Sequence, residues 1–596
     1  MKRSRVESRK SSVRSVRQTQ RHFSSSLIPH PSSFIPRRSS LISHSSPLAP
    51  PRSGSVLLIV LVVVSILALA AYNYTQTTLT EYEAAVMYGA DVQAREAADS
   101  GVEYVATLLA NRTDPALENL QHNPALFMGR TVVPSPRLRG NARFSVIAPV
   151  EHSTKLSSIR YGLMDESAKL NLNLIQKMQL DDDQIHTLLM NLPGMTIETA
   201  DALLDWIDSD DTKRPYGAES ETYEALQPPY KCKNGPIESL DELLMVKGVT
   251  PALLYGEDAN RNGLLDPNEN DGDASPPADN ANGVLEHGWV SFLTAYGRES
   301  NLRADGREKI HVNNGLLTDL YDALEEEFGE ETAKFVIAFR MSGPKDKEPE
   351  EDETSGGSSK TVASSSSKST QKKQQQQAVQ GLTKAIASAA LAKGGKVTRG
   401  GIDISAGGSY QIKSLWELYG SRADVKINGS SITLTSTWPA DTSQLPALLP
   451  KLNDTLSTTN DEFLEGRINI NQARKEILLG LPGMDEELVN KIITAQKLDS
   501  NGQPSPDVIH LHNTIGWLYF EGLVDIWAMR SLDPYFTARG DVYRAQIFGF
   551  FDGGGPVTRL EALIDGTKKP PRILFQRDLN DLGHGYSRMQ LLPLVR

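Results

Sequence analysis

Sixteen consecutive uncharged residues, 56–71 (VLLIVLVVVSILALAA), constrain this chain more than any other feature, and Ser65 is the only polar side chain among them. Such a run gains nothing from facing water. It is slightly short for a bilayer crossing, which takes about 20 apolar residues. Gly54 and Ser55 before it and Tyr72 after it extend it to a plausible span. Residues 1–53 hold eleven Lys/Arg and one acid, so the formal charge of −12 on the 596-residue chain leaves about −22 on the rest. With Arg37, Arg38 and Arg52 nearest the run, the positive-inside rule predicts a cytoplasmic N-terminus and a chain otherwise outside the cytoplasm, held as a single-pass inner-membrane protein. A cleaved secretory signal is the rival, and Ala68-Leu69-Ala70 has the small-x-small form of a cleavage site. The sequence after the run favours the anchor. Residues 72–110 continue without Pro, and Ala84, Met87, Tyr88, Ala94, Ala98, Val102 and Val105 recur at helical spacing. The run reads as the first half of one helix of about 55 residues, whose second half lays an amphipathic stripe on a soluble domain.

The acidic balance beyond residue 53 argues against nonspecific nucleic-acid binding, which needs a positive surface. Cys232 is the only cysteine, which excludes an intramolecular disulfide, and it reads as a spare thiol in a loop. The sequence has no GxSxG, no HExxH and no phosphate loop. His287, His311 and His512 stand isolated. No catalytic constellation emerges, so neither an enzyme nor a small-molecule substrate is expected.

Past the long helix, residues 143–150 (RFSVIAPV) and 158–164 (SIRYGLM) alternate as strands do. A pattern then recurs three times: KLNLN at 169–173, KIHVN at 309–313 and RININ at 467–471. Each begins with a base and ends in Asn, a good helix N-cap, so a strand turning into a helix is expected in duplicated units. Two copies lead into helix, Leu-Pro-Gly-Met, helix, at 188–207 and 477–493. These resemble the helix-hairpin-helix motif, with turns at Pro193-Gly194 and Pro482-Gly483. A degenerate version lies at 316–340, with Phe328-Gly329 in place of Pro-Gly, and a related fragment at 244–254. Such turns often bind DNA phosphates, but Asp201, Asp205, Asp208, Asp210 and Asp211 follow the first, and Asp485, Glu486 and Glu487 follow the second. Packing modules are therefore expected. Residues 343–378 are charged, then rich in Ser, Gly and Lys, and end in Gln374–377, with too few apolar residues for a core. At the C-terminus, VYRAQIFGFF (542–551), VTRLEALID (557–565) and RILFQR (572–577) alternate as strands, the first two joined by a hairpin-type connector, DGGGP.

The sharpest chemical motif is residues 258–269, DANRNGLLDPNE. Oxygen donors fall at loop positions 1, 3, 5, 9 and 12, namely Asp258, Asn260, Asn262, Asp266 and Glu269, with the Leu264 carbonyl at position 7 and Gly263 at the sharp turn. Hard oxygen donors at this spacing suit calcium in a structural role and no soft metal. Pro267 inside the loop points to an isolated loop rather than a paired EF-hand. Asp205, Asp208, Asp210, Asp211 and Glu219 form a second acidic cluster, readable as another cation site or as a solvated turn.

The N-terminal pattern resembles the type IV pilin superfamily. That resemblance implies a prepilin peptidase cutting at Gly54–Ser55 and then methylation of the new N-terminus. The leader is longer than pilin leaders, which suggests an upstream misassigned start. Most pilins carry Glu at mature position five, where this chain has Ile59. The branch resembled in lacking it is the K-type minor pseudopilin of type II secretion, whose members bind calcium in a helical lobe. The resemblance implies an α+β fold: a pilin-type helix with a small antiparallel sheet, interrupted by a large inserted helical lobe containing the helix-hairpin-helix units. The expected divisions are a basic disordered leader (1–54), the pilin helix (55–110), the first part of the pilin-like domain (111–168), and a helical lobe with the calcium loop (169–342). A low-complexity insertion (343–399), a second helical lobe (400–530) and closing strands (531–596) follow. The implied partners are other minor pseudopilins, the secretion machinery and the peptidase, with the lobe capping a pilus tip during export of folded proteins. A DNA receptor of a competence-type pilus and an adhesive minor pilin are the competing readings.

Overall fold

The computed structural model of the chain describes residues 54–111, 119–136, 140–149, 159–178, 180–345, 397–497 and 512–592. The expected leader, apart from Gly54, and most of the low-complexity insertion lie outside these. The chain divides into two compact units, Met1–Leu79 and Thr80–Arg596. Helix α1, Gly54–Ala110, is 57 residues long. Its first half is apolar and exposed, and it is the one helix among the described residues long and apolar enough to cross a membrane. The hydroxyls of Ser65, Thr75, Thr77 and Thr78 each donate to the carbonyl four residues back, which satisfies them inside a helix.

In the second unit, a six-stranded antiparallel sheet is assembled from the two ends of the sequence. Strands β1 (Arg130–Val133), β2 (Ala142–Ile147) and β3 (Met164–Asp165) come before the insertion, and β4 (Val542–Phe551), β5 (Thr558–Asp565) and β6 (Arg572–Asp578) after it. The order is β1-β2-β4-β5-β6, with β3 also paired to β4. The C-terminal strands therefore complete the sheet, and everything between β3 and β4 is inserted. Residues 159–163 are not a strand, as the alternation of 158–164 had suggested. Only Met164–Asp165 pairs with β4, while Arg160 makes an isolated bridge to Ala148.

Ala98, Val102, Val105 and Leu109 of α1 pack on Phe144, Val146, Ala545, Ile547 and Leu560 of the sheet. Close approach depends on Gly549, where a Cβ would sit 1.9 Å from the Ala94 carbonyl oxygen. The buried stripe begins at Ala90, later than the spacing suggests, because Met87 and Tyr88 are exposed beyond the last buried sheet residues, Ala142 and Phe551.

The insertion is built three times on one plan. Each base-x-Asn-x-Asn motif supplies a short strand that pairs in parallel with a strand downstream. Leu170–Asn171 joins Leu293–Thr294, Ile310–His311 joins Leu456–Ser457, and Ile468–Asn469 joins Phe536–Thr537. The terminal Asn is a staple rather than the expected helix cap. The amides of Asn173, Asn313 and Asn471 each donate to two main-chain carbonyls at 2.7–2.9 Å, tying three segments of their own repeat. Their Oδ1 atoms accept from Ile237 N, Ile412 N and the Trp517 indole. A planar amide supplies two N–H donors and an acceptor at once, whereas a hydroxyl has one donor and a carboxylate none. The cap of the first repeat is Asn171 instead, two residues earlier.

Helices Asp182–Met190 and Ile197–Ile207 flank the first Leu-Pro-Gly-Met turn, and Lys475–Leu478 and Glu486–Ala495 flank the second. Leu317–Phe328 and Glu330–Ser342 meet at Gly329 in the middle repeat. One continuous apolar core runs from Leu170 to Phe536, so the two expected lobes share an interior. The stretch expected as a second helical lobe also contains three strands, Ile402–Asp403, Arg422–Ile427 and Ser430–Thr435, of a four-stranded antiparallel sheet whose remaining strand, Thr398–Arg399, lies at the end of the expected low-complexity insertion. Its hairpin turns at Asn428-Gly429, both with positive φ, the turn that matches strand twist.

Candidate metal centre

Residues 258–269 fold into a tight loop whose donors face inward. Asp258 accepts from the Asn262 and Gly263 amides at 3.0 and 2.9 Å, and Asn260 Oδ1 also accepts from Asn262 N at 3.0 Å. Asn262 Oδ1 accepts from Leu264 N at 2.6 Å. Glu269 reaches back to accept from the Ala259 and Asp266 amides at 3.1 Å each. Gly263 sits at φ +68, the conformation position six requires.

Two carboxylates sit largely out of water in this loop, Glu269 buried and Asp258 half-buried. Burial first, then the charges of Asp266 and Asp258, push Glu269 up to about 7. Burial pushes Asp258 up to about 6 against opposing main-chain hydrogen bonds. Both values mean that the charged forms are under-compensated, and a hard divalent cation is the group that would compensate them. The donor set is made of oxygens alone, the chemistry a hard cation such as calcium takes. Asp258, Asn260, Asn262, Asp266, Glu269 and the Leu264 carbonyl are the residues that would hold it. Among the described residues no cluster of three His, Cys, Asp or Glu is poised for a metal. Here Asp266 Oδ2 is taken by the Asn260 and Asn262 amides at 2.5 and 2.9 Å.

The loop also clasps the sheet. Gln546 of β4 and Arg559 of β5 donate to the Arg261 carbonyl at 2.7 and 2.8 Å. Asn262 Nδ2 donates to Gly585 O at 2.9 Å, and the Tyr586 hydroxyl donates to Asn262 O. Sequence reasoning missed these partners. It also missed an echo of the loop. At 280–286 the Asn282 and Val284 amides again bond the preceding Asn side chains, and Asn280 and Asn282 again donate to one carboxylate, Glu286. The repeated Asn-x-Asn-Gly spacing was the available signal.

The second acidic cluster is only partly assembled. Arg214 pairs with Asp205 at 2.7 Å and Asp208 at 2.6 Å. Asp210 turns to the Thr212 amide and Asp211 to Asn234. Glu219 is buried with neither oxygen accepting a conventional hydrogen bond, and burial followed by the Asp205 and Asp208 charges pushes it up to about 7. Cys232 lies beside it, not in an exposed loop, and burial pushes its thiol up to about 12. The Pro193-Gly194 and Pro482-Gly483 turns have acidic neighbours: Asp201 pairs with His186 at 2.6 Å, and Glu486 with Lys475 at 2.9 Å. Gly54 opens α1.

A family model for type II secretion system protein K matches residues 168–255. A protein K of Aeromonas hydrophila is 27% identical over 216 residues, 34% of this chain and 60% of that relative. One from Klebsiella pneumoniae is 35% identical over 102 residues, 15% of this chain and 31% of its own length. The chain thus spans less than two thirds of either curated relative. A chain of the GspK-GspI-GspJ complex from the enterotoxigenic Escherichia coli type 2 secretion system aligns over 84% of this chain and 98% of its own, with 10% identity and a TM-score of 0.30. Residues 168–255, which hold the first motif, the first Leu-Pro-Gly-Met turn and the second acidic cluster, are the part of the chain that matches the protein K model of the type II secretion family that the sequence resembles.

Proposed function

We propose that the chain is a minor pseudopilin of a type II secretion system, working by assembly and not by catalysis. The observation that carries this reading is the stretch matching protein K, inserted between β3 and β4 of a sheet packed on a helix with an apolar first half. In this reading α1 crosses the inner membrane after the peptidase cuts at Gly54–Ser55. Its apolar face then packs with the helices of other minor pseudopilins. The inserted repeats cap the tip of the pseudopilus, where bulk obstructs no later subunit, and assembly there supports export of folded proteins. The absence of Glu at Ile59 suits a subunit with no neighbour above it. The acidic surroundings of both turns favour this reading over a DNA receptor.

The test is co-expression of the full chain with the remaining minor pseudopilins of its own secretion system, followed by purification in detergent. A stoichiometric complex is expected. Purification of the chain alone, with salt-sensitive DNA binding, would overturn the proposal.

Calcium has a structural role in this reading, at the 258–269 loop. Glu219 with Asp205 and Asp208 forms a second, weaker cation site. Calcium titration of the full chain should resolve two classes of site. Glu219→Ala should remove only the weaker one; an unchanged titration would return that cluster to a solvated turn held by Arg214.

A further inference from the structure

Where the middle and third repeats meet, the structure encloses a cleft of about 470 Å³. That volume lies in the range of small-ligand sites, but the wall is polar. Its acids are engaged. Glu299 accepts from the Thr537 hydroxyl at 2.7 Å and from Arg539 at 3.4 Å. Asp454 accepts from the Ala304 amide at 2.8 Å, and Asp533 faces the Arg467 charge and the Ser414 hydroxyl. Lys451, another lining cation, pairs with Glu327 at 3.7 Å.

Two cations remain, and they occupy equivalent places in the threefold plan. Lys309 begins KIHVN and Arg467 begins RININ, and both line the cleft. In the first repeat the corresponding Lys169 is occupied, donating to the Val290 carbonyl at 2.8 Å and lying 3.9 Å from Glu166. Among the described residues Lys309 and Arg467 make no such hydrogen bond or close ion pair, although the charges of Glu299 and Asp533 act on them. Lys309 is half-buried, and desolvation holds its ammonium below the usual lysine range. Among the charges around it, Glu299 acts most strongly and with Asp454 favours the ammonium, while Arg539 and Arg467 oppose them. Both amide hydrogens of Asn301, on the same wall, are used by Thr459 O and Asp461 O. Its buried Oδ1 has no donor.

Two cations with unused N–H donors and one acceptor without a donor line the same cleft and define a ligand chemistry: an anionic group with two oxygens and an N–H or O–H donor of its own. We infer that this cleft binds a carboxylate bearing an adjacent hydrogen-bond donor, with Lys309 and Arg467 on the carboxylate and Asn301 Oδ1 on the donor. A free hydroxy acid and the C-terminus of a peptide, with its last amide N–H, share that chemistry. The cleft is a binding site in this inference and not a catalytic one, since no nucleophile or base lines it in a catalytic arrangement.

The full chain in detergent is titrated calorimetrically with three probes: gluconate, tetra-alanine with a free C-terminus, and tetra-alanine amide. Saturable binding of gluconate or of the free peptide is expected, with none of the amide. Gluconate alone identifies a free hydroxy acid as the source, and the peptide alone identifies a chain terminus. Lys309→Gln and Arg467→Gln should each weaken binding about 10- to 100-fold, the range for one charged hydrogen bond. Lys309→Arg keeps the charge and should retain binding, which separates loss of the site from loss of the fold. Absence of saturable binding by either carboxylate, or equal binding of the amide, overturns the inference. So does equal binding by folded Lys309→Gln and Arg467→Gln proteins.

Discussion

Glu166 shows what a single buried charge does in this fold. It sits at the foot of β3, fully buried, and its carboxylate accepts from Arg544 of β4 at 2.8 and 3.0 Å and from the Thr294 hydroxyl. Burial alone would raise its pKa, but the Arg544 and Lys169 charges and these hydrogen bonds outweigh it and lower it to about 2. The folded value lies below the unfolded one, so this contribution to stability is complete above the ordinary Glu range. It is lost as pH falls from about 4.5 towards 2. Glu166→Gln removes the buried negative charge that faces Arg544, which also contacts Glu561 at 3.3 Å. The expected cost is about 3–5 kcal/mol at pH 7, the range for breaking one side of a buried pair. The gap between variant and native protein should narrow at pH 3 in denaturant titrations followed by circular dichroism. A gap independent of pH would mean that packing, not charge, is what the substitution removes.

At the scale of elements, the helix–sheet contact turns on Gly549. With a Cβ it would press on the Ala94 carbonyl, which is main chain and cannot rotate away. Gly549→Ala is therefore expected to cost about 1–3 kcal/mol or more, as overpacking does. Thermal unfolding should show that loss, while Gly272→Ala, at a glycine with open space around it, serves as a strained-loop comparison. The strands around Gly549 were legible in the sequence because alternation over eight to ten residues is a strong signal, and β4 runs 542–551 as read. Strand β3 was not legible, since two residues carry no period. The hairpin at Asn428-Gly429 did carry a signal, an Asn-Gly between VKI and SSITLT, and was passed over because helical repeats were expected there. The motif Asn residues were singled out correctly and given the wrong task. Capping is a local property, whereas the partners of Asn313 lie 99 and 145 residues away.

At the scale of the molecule, the loop proposed to take calcium raises the question of what a structural cation would hold together. The donors are contiguous in sequence and were legible for that reason. The loop's outward partners lie 285 to 324 residues further on, at Gln546, Arg559, Gly585 and Tyr586, where no local pattern reaches. Those contacts bind the main chain at Arg261 and Asn262, the turn that a cation would stiffen. On the proposal that the loop takes a cation, the cation would stabilise the junction of insertion and sheet as well as the loop, because an ordered loop presents its carbonyls in one place. Hydrogen exchange of the full chain in detergent, with calcium and then with excess chelator, tests this coupling. Chelation should speed exchange at 258–269 and also at 546, 559 and 585–586, with little change in the middle-repeat hairpin at 422–435. Asp258→Ala with Glu269→Ala should reproduce the chelated pattern in calcium and abolish calcium-dependent thermal stabilisation. Faster exchange confined to 258–269 would mean that the loop closes on its own account and that Gln546 and Arg559 hold the junction without it.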